Sequence, residues 1–358
     1  MPRKKGKQVI KLEKELKELL KDGNWEPSQP LPVTRELADK YGVSNVTVHR
    51  VLRRFNSDGL VWRSDSGRYY LPSGRELAER PKPVFCLVRE LTARVVSYRL
   101  MLQGFSRECA EARRNLLFPS DVSLVTLTDP EEPPLFQNSS EQLKSFRQVL
   151  RTNPQSQHGF LLDHLWHEDV LEHCADDLRN AVILWRSTKV EGISSVSLDY
   201  EAAGRQAINH LLQQGYERII IAIPFKGDAA IDQMAEAAEK AVRELSQFNP
   251  DDLCMATNNR ERQQLVEHIR NAPERIGIFC LEDSVCKLLL DTIRLAGIPC
   301  PQKVGLLSGM GTEIAHWSGM SSIEIPFIEM GTAAAKLIAE RMKKDEVLTT
   351  RVIRNLTT

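Results

Sequence analysis

The spacing of apolar residues along the chain changes near residue 84. Before that point, apolar positions at 9, 12, 16, 19 and 20 trace one face of a helix that Asp22-Gly23 brings to an end. A proline-rich turn (Pro27, Pro30, Pro32) leads into two short helices predicted over Arg35–Tyr41 and Asn45–Ser57, separated by Gly42-Val43-Ser44. Leu60-Val61-Trp62-Arg63 and Arg68-Tyr69-Tyr70-Leu71 then alternate about Asp65-Ser66-Gly67, the pattern of a β-hairpin. Helix, helix-turn-helix, hairpin is the order of a winged helix. Pro72, Gly74, Pro81 and Pro83 around a charged segment predict a linker over 73–83.

Beyond the linker, short apolar runs predict strands at 84–88, 122–127, 159–162, 181–185, 195–198, 218–223, 276–281 and 303–307. Longer amphipathic segments at 200–214, 229–246, 261–271 and 283–296 lie between them. Strand and helix in alternation argue for parallel sheets covered by helices on both faces. A segment of this length exceeds the usual domain of about 50–250 residues, so two lobes are expected. The fold class is therefore α/β, with an N-terminal winged helix-turn-helix over 1–72 and a two-lobed domain over 84–358.

Composition refines this picture in two places. The net charge of +0 hides an asymmetry: residues 1–80 carry 17 Lys/Arg against 11 Asp/Glu, a surplus of +6, which residues 81–358 balance with −6. A basic head on an acidic body points to a polyanionic partner for the head alone. The seven cysteines (86, 109, 174, 254, 280, 286, 300) form no CxxC pair and mostly fall in apolar runs, so buried reduced thiols are expected. The basic Met1–Lys7 is followed by an amphipathic stretch, unlike a secretory signal, and no run approaches a membrane span; the expected location is cytoplasmic.

The second helix of the pair carries the first candidate site. Val48, Val51, Leu52 and Phe55 recur at i, i+3, i+4, i+7 and must face the core. That turns Val46, His49, Arg50 and Arg53 outward, flanked by Asn45, Thr47 and Arg54. Arginine can chelate guanine, asparagine can pair with adenine, and a valine or threonine methyl can meet a thymine methyl. Ser44 is placed to cap this helix. Arg35 starts the preceding helix, where it can grip phosphate, and Gly67 with Arg68 forms a hairpin tip able to approach the DNA backbone. The competing reading is a solvated basic helix on a protein-binding winged helix.

The run Leu31-Pro32-Val33-Thr34-Arg35-Glu36-Leu37-Ala38, then Tyr41-Gly42-Val43-Ser44-Asn45-Val46-Thr47-Val48-His49-Arg50-Val51-Leu52, then Asp58-Gly59-Leu60, closely resembles the winged helix of the GntR family. The resemblance implies dimeric binding to double-stranded operator DNA, with contacts at Arg35, Thr47 and Gly67. Val33 stands where the family usually has serine, and Asn45 and His49 where it has arginine, which leaves the operator sequence open.

The body resembles the effector domain of the LacI/GalR family, whose fold is that of periplasmic binding proteins. The likeness rests on Val196–Gly204 through His210–Ile219, and on Ile278–Asp283 through Leu295–Pro299 and Lys303-Val304-Gly305. A GntR-like head on such a body is similar to the arabinose-repressor type of regulator, which implies a homodimeric repressor controlled by a small, sugar-like effector. Ligands in such sheets bind beyond the carboxyl ends of the strands. Strand ends here offer Arg89, Asp163, Asp199, Lys226, Asp228, Glu282, Asp283 and Ser308, of which Asp199 and Asp283 match the family positions best. Each such aspartate has the alternative of capping the helix that follows. The family's sugar-binding arginine falls near Asp232–Met234, where none occurs, and Glu282 replaces its usual asparagine.

His164, His167 and His173 with Asp163, Asp169, Glu172 and Cys174 include metal-ligating types, but a polar loop entering a solvated helix accounts for them; no metal or cofactor is expected. Gly309-Met310-Gly311-Thr312 is too short for a dinucleotide loop, and no phosphate loop or nucleophile elbow occurs. Two alternatives stay open: a Rossmann-type enzyme with a winged-helix appendage, and a regulator whose effector pocket has decayed.

Overall fold

In the computed structural model of the chain, the described residues are 12–17, 29–57, 60–64, 67–71, 82–89, 96–119, 122–126, 132–152, 159–178, 180–247, 249–340 and 344–358. The ends of the first predicted helix, the proline turn at 27, the hairpin tip at 65–66, most of the linker and the stretch 91–95 lie outside them. The chain divides into two compact units, residues 1–83 with 146–158, and residues 84–145 with 159–358.

In the first unit, residues 12–17 are helical, followed by helices Thr34–Tyr41 and Asn45–Ser57 and by the two-stranded pairing of Trp62 with Tyr70 and Arg63 with Tyr69. Gly42 adopts a left-handed φ of 61° at the end of the first helix of the pair. This is the conformation glycine tolerates without a Cβ clash, and it sharpens the turn. Leu12, Leu16, Leu31 and Leu37 pack with Val48, Val51, Leu52, Phe55, Val61 and Tyr69 in one core, as the helical spacing predicts. Val33 brings no side-chain acceptor to its helix start; its N–H instead donates to Glu36 at 3.2 Å.

The second unit holds two six-stranded sheets, each the core of one lobe. Lobe 1 orders its strands as Asp345–Leu348, Ile193–Leu198, Ala181–Trp185, Gly159–Leu162, Lys82–Leu87, Arg114–Leu117, the first five parallel. Lobe 2 orders them as Leu253–Met255, Arg218–Ile223, Ile276–Cys280, Val304–Ser308, Ser321–Glu324, Arg351–Ile353, parallel except for the last. The strand Arg218–Ile223 shows why such strands read as unbroken apolar runs: Ile219, Ile221 and Ile223 join one core cluster, Ile220 and Ala222 the other. The chain crosses between lobes three times, at 198–200, 324–327 and 348–351. Helix Tyr200–Gln213 consequently packs on lobe 2, and helix Phe327–Glu340 on lobe 1.

The predicted strand at 122–127 behaves otherwise. Among its described residues only Val125–Thr126 forms a strand, paired antiparallel with Leu135–Phe136 outside the main sheets. Val122, Leu124 and Val125 are buried while Ser123 and Thr126 are exposed, so one side meets solvent, which a central parallel strand does not allow. The sheet position went instead to Arg114–Leu117, too polar to stand out by composition. The first strand begins at Lys82, within the expected linker. Five cysteines are buried and Cys254 and Cys300 half-buried, all as free thiols.

Lobe 1 depends on a close helix crossing. A Cβ on Gly331 would lie 1.8 Å from the Met101 carbonyl oxygen, and one on Gly104 2.0 Å from that of Ile328. Neither backbone can yield without separating helices Val96–Glu111 and Phe327–Glu340. Gly331→Ala is expected to destabilise the protein by at least about 2 kcal/mol, as overpacking of a rigid core does. A denaturation midpoint equal to that of the parent would show that the crossing is looser than described.

Candidate functional site

Two regions gather the expected site residues. In the first unit, Ser44 caps the helix Asn45–Ser57: its Oγ accepts from the Thr47 N–H at 3.2 Å and lies 2.8 Å from the Thr47 hydroxyl. With Val48, Val51, Leu52 and Phe55 inward, the outer surface shows Asn45, Val46, Arg50 and Arg53 exposed, and Thr47 and His49 half-buried. Val46 is 68% exposed, on the side of the helix away from the core. Arg35 is exposed at the first turn of the preceding helix, and Arg68 beside Gly67, whose φ is 83°. Ser64 holds the hairpin end by accepting from the Gly67 and Arg68 N–H groups. The side chain of Arg54 lies outside the described residues.

In the second unit a cavity of about 560 Å³ opens between the lobes, at the carboxyl ends of their parallel strands. Arg89 and His164 enter it from lobe 1, just past strands Lys82–Leu87 and Gly159–Leu162; Asp228 enters from lobe 2, past Arg218–Ile223. Arg89 grips Asp163 with two hydrogen bonds, Nε to Oδ2 at 2.9 Å and Nη2 to Oδ1 at 3.0 Å. Across the gap, His164 Nε2 lies 2.7 Å from Asp228 Oδ1, and Arg89 Nη2 lies 3.5 Å from Asp228 Oδ2. The Tyr98 hydroxyl meets His164 Nδ1 at 3.2 Å, and the Arg89 guanidinium sits over the Tyr98 ring, 4.9 Å from its centroid.

This cluster fixes the charge states. Burial works against ionisation of Asp228, yet His164 and Arg89 hold its carboxyl below the ordinary range. Burial likewise opposes the charge on Asp163, and Arg89 followed by His164 overcomes it. For Arg89 burial is outweighed by Asp163, so the guanidinium stays charged. On the opposite wall, burial pushes the Glu282 carboxyl up, partly offset by the Ser284 hydroxyl.

Of the expected cleft residues, Arg89, Asp228 and Glu282 line the cavity. Asp163 stands behind Arg89 and also accepts from the Leu165 N–H at 3.0 Å. Asp199 and Asp283, the best family matches, do not line it. Asp199 caps helix Tyr200–Gln213, accepting from the Ala202 N–H at 2.9 Å. Asp283 is fully buried and gathers the loop after Val304–Ser308, accepting from Ser308 Oγ, the Met310 N–H at 3.1 Å, and the Thr312 N–H and hydroxyl at 2.6 and 2.7 Å. The reason is geometric: a carboxylate whose lone pairs face first-turn and loop N–H groups is turned away from the cleft. Asp228 and Glu282 also cap helices, yet remain at its edge. Lys226 is exposed, away from the lining.

Selecting charged strand ends missed the aromatic ones. Trp185, Tyr98, Tyr200 and Phe225 all line the cavity, and Trp185 ends its strand just as Arg89 follows its own. His164 belongs to the cluster described above, while His167 Nε2 lies 3.0 Å from the Gln137 carbonyl oxygen. Among the described residues no three His, Cys, Asp or Glu side chains are disposed to hold a metal.

Comparison with known proteins bears on both regions. Residues 9–71 match the bacterial regulatory proteins of the gntR family, and residues 208–358 match the periplasmic binding protein-like domain. The chain joins a GntR-type head to a periplasmic-binding-protein-like body. Over 189 residues it is 25% identical to the HTH-type transcriptional repressor MelR of Bacillus subtilis (strain 168), covering 49% of this chain and 54% of that protein. The chain spans about half the length of these curated relatives, 54% of MelR and 51% of the catabolite control protein A of Staphylococcus epidermidis (strain ATCC 12228 / FDA PCI 1200). Among solved structures, the transcriptional regulator CelR–cellobiose complex superposes with a TM-score of 0.63 at 16% identity, covering 92% of this chain and all of that one. A LacI family transcriptional regulator from Enterococcus faecium with bound ribose gives 0.58 at 18% identity, covering 77% of this chain and 98% of that one. At such identities the likeness establishes the fold. Among the described residues no helix is long and apolar enough to cross a membrane.

Two outcomes are expected. Asp283→Asn puts an NH₂ donor among donors, each costing about 1–3 kcal/mol when left unpaired in the interior; a lowered thermal midpoint checks this, and an unchanged one would contradict the stapling role. For acid stability, the folded-state pKa values of Asp163 and Asp228 lie below their unfolded values. Their contribution is therefore complete above about pH 4, the unfolded carboxylate range, and is lost as pH falls through the folded values. Asp228→Asn is expected to shallow the acid-side decline in thermal midpoint relative to the parent. An identical decline would contradict the assigned charge state.

Proposed function

We propose that this chain is a transcription regulator of the repressor kind, whose operator affinity is set by a small molecule bound between the lobes of its body. The observation that carries the DNA half is the two-sided helix Asn45–Ser57. Its apolar side is consumed by the core while Asn45, Val46, Arg50 and Arg53 face solvent, on a head with a +6 surplus of charge. Arg35, Thr47, His49, Gly67 and Arg68 complete the surface as phosphate and groove contacts, with Ser44 holding the helix start. The observation that carries the sensor half is the position of the cavity, at strand ends of both lobes, where Arg89, Asp228 and Glu282 meet it. The cellobiose and ribose found with the structural neighbours favour a carbohydrate-class effector. The protein acts in the cytoplasm, without enzymatic turnover.

Two chains pair through the body and set their recognition helices about 34–36 Å apart, on successive major grooves of a near-palindromic operator. Effector binding biases lobe closure and hence head spacing. A coupling of about 1–3 kcal/mol is typical and must be reciprocal, so operator DNA alters effector affinity by the same factor.

The test is selection of an operator from random duplexes, followed by titration of parent, Arg50→Ala and Arg53→Ala proteins. Each variant is expected to lose about 1–3 kcal/mol of base discrimination while keeping the parent's melting behaviour. Raising salt from 50 to 200 mM is expected to weaken binding by about 10³–10⁵ if 6–10 phosphates are neutralised. Undiminished affinity in both variants, or a flat salt response, would refute the groove assignment.

A further inference from the structure

We propose that the effector of this cleft carries a protonated nitrogen, and that Glu282 is the group that receives it. The inference rests on the cleft being the effector site.

Glu282 follows strand Ile276–Cys280 and caps helix Asp283–Leu295, so it stands where lobe 2 meets the cavity, which it lines. The hydrogen bonds it accepts, from the Ser284 hydroxyl and from the Val285 N–H at 3.0 Å, both go to Oε2. Oε1 accepts none and keeps accessible surface. Among the described residues no Lys, Arg or His forms an ion pair with this carboxylate. Burial pushes its carboxyl up against the pull of the Ser284 hydroxyl, and the neighbouring Asp283 adds to the push. An incoming cation favours the ionised form and makes the stronger, charge-assisted hydrogen bond.

The cations already on the wall are engaged elsewhere. Arg89 is shared between Asp163 and Asp228. His164 meets the same Asp228 at 2.7 Å and the Tyr98 hydroxyl at 3.2 Å. Lys287, on the helix that Glu282 caps, pairs with Asp291. Even with His164 counted as protonated, these three cations are matched by three carboxylates before Glu282 is considered. Glu282 then adds a fourth carboxylate, and Glu132 brings a fifth to the wall. The cleft therefore holds an excess of negative charge, in surroundings where a lowered dielectric strengthens each interaction. An anionic ligand would add to the excess. A neutral hydroxyl can donate to Oε1 but leaves the excess standing; an ammonium group does both tasks.

The other lining residues set no condition on charge. Ser97 and Thr257 bring neutral hydroxyls that serve charged and uncharged ligands alike, and Phe225, Leu288 and Met310 give the body of a ligand apolar surface. The cavity, about 560 Å³, lies within the usual range for a small molecule. An amine of this size has two sources: an amino sugar, in keeping with the carbohydrate-binding neighbours, or an aromatic amine.

Calorimetric titration of the full chain tests the proposal, at about pH 6.5, below the ordinary amine range. Two matched sets of probes serve: D-glucosamine, D-glucose and D-glucuronate, and phenethylamine, phenylethanol and phenylacetate. In one set the amine is expected to bind at least about ten-fold more tightly than its neutral and anionic counterparts, and that set assigns the source. Glu282→Gln keeps the size and the capping oxygen and removes the charge, so affinity for the amine should fall by about 10- to 150-fold. Glu282→Asp keeps the charge and should keep the preference for the amine, which a loss of fold or of helix capping would not reproduce. The proposal is overturned if in both sets a neutral or anionic probe binds as tightly as the amine, if no probe binds, or if Glu282→Gln retains the preference. Operator titration without ligand separates the two levels. Selective duplex binding alongside a preference for neutral or anionic probes sinks this inference alone, whereas absence of duplex binding sinks the reading of the protein as a regulator.

Discussion

Asp228 is the carboxylate on which the second unit's two lobes meet. It projects from lobe 2 against a guanidinium and an imidazole that lobe 1 delivers, and all four charged or titratable members of the group are largely withdrawn from water. In a medium of low dielectric such an arrangement is stable only when complete, because a missing partner leaves a buried charge uncompensated. Another bridge between the lobes, Arg99 to Glu313 at 2.8 Å, is solvent-exposed and contributes little by comparison. The buried cluster therefore favours the closed arrangement, and it does so while forming one wall of the cavity. Anything that enters the cleft must come to terms with the same residues that hold it shut. In the proposed regulator, that identity of latch and wall would couple occupancy to lobe geometry.

Much of the fold was legible because its signals are local. Helices Asn45–Ser57, Tyr200–Gln213, Ala229–Leu245 and Asp283–Leu295 carry strong amphipathic spacing, and strands Ala181–Trp185 of one sheet and Arg218–Ile223 of the other present apolar residues on both faces. The edges were less legible. Arg114–Leu117, Asp345–Leu348 and Arg351–Ile353 expose alternate residues and read as polar linkers, since an edge strand needs pairing on one side only. The run at 122–127 has the composition of a core strand, but its burial pattern is that of a hairpin arm.

The site divides in the same way. The outward-facing residues of helix Asn45–Ser57, the proposed DNA surface, follow directly from which side of the helix the core consumes, so spacing alone assigns them to that side. The cleft residues required knowing where each side chain turns after its strand ends. Asp199, Asp228, Glu282 and Asp283 sit at equivalent topological positions, and only the hydrogen bonds of the surrounding loops separate a staple from a lining group. Trp185 and its aromatic neighbours went unseen because an aromatic residue at the end of an apolar run looks like more core.

The most direct test of the account is the distance between spin labels placed on opposite lobes, measured by pulsed electron resonance in the parent and in Asp228→Asn. Restraint by the buried cluster predicts a narrow, short distribution in the parent and a broader, longer one in the variant. Superimposable distributions would mean that the lobes are held together by something other than this carboxylate.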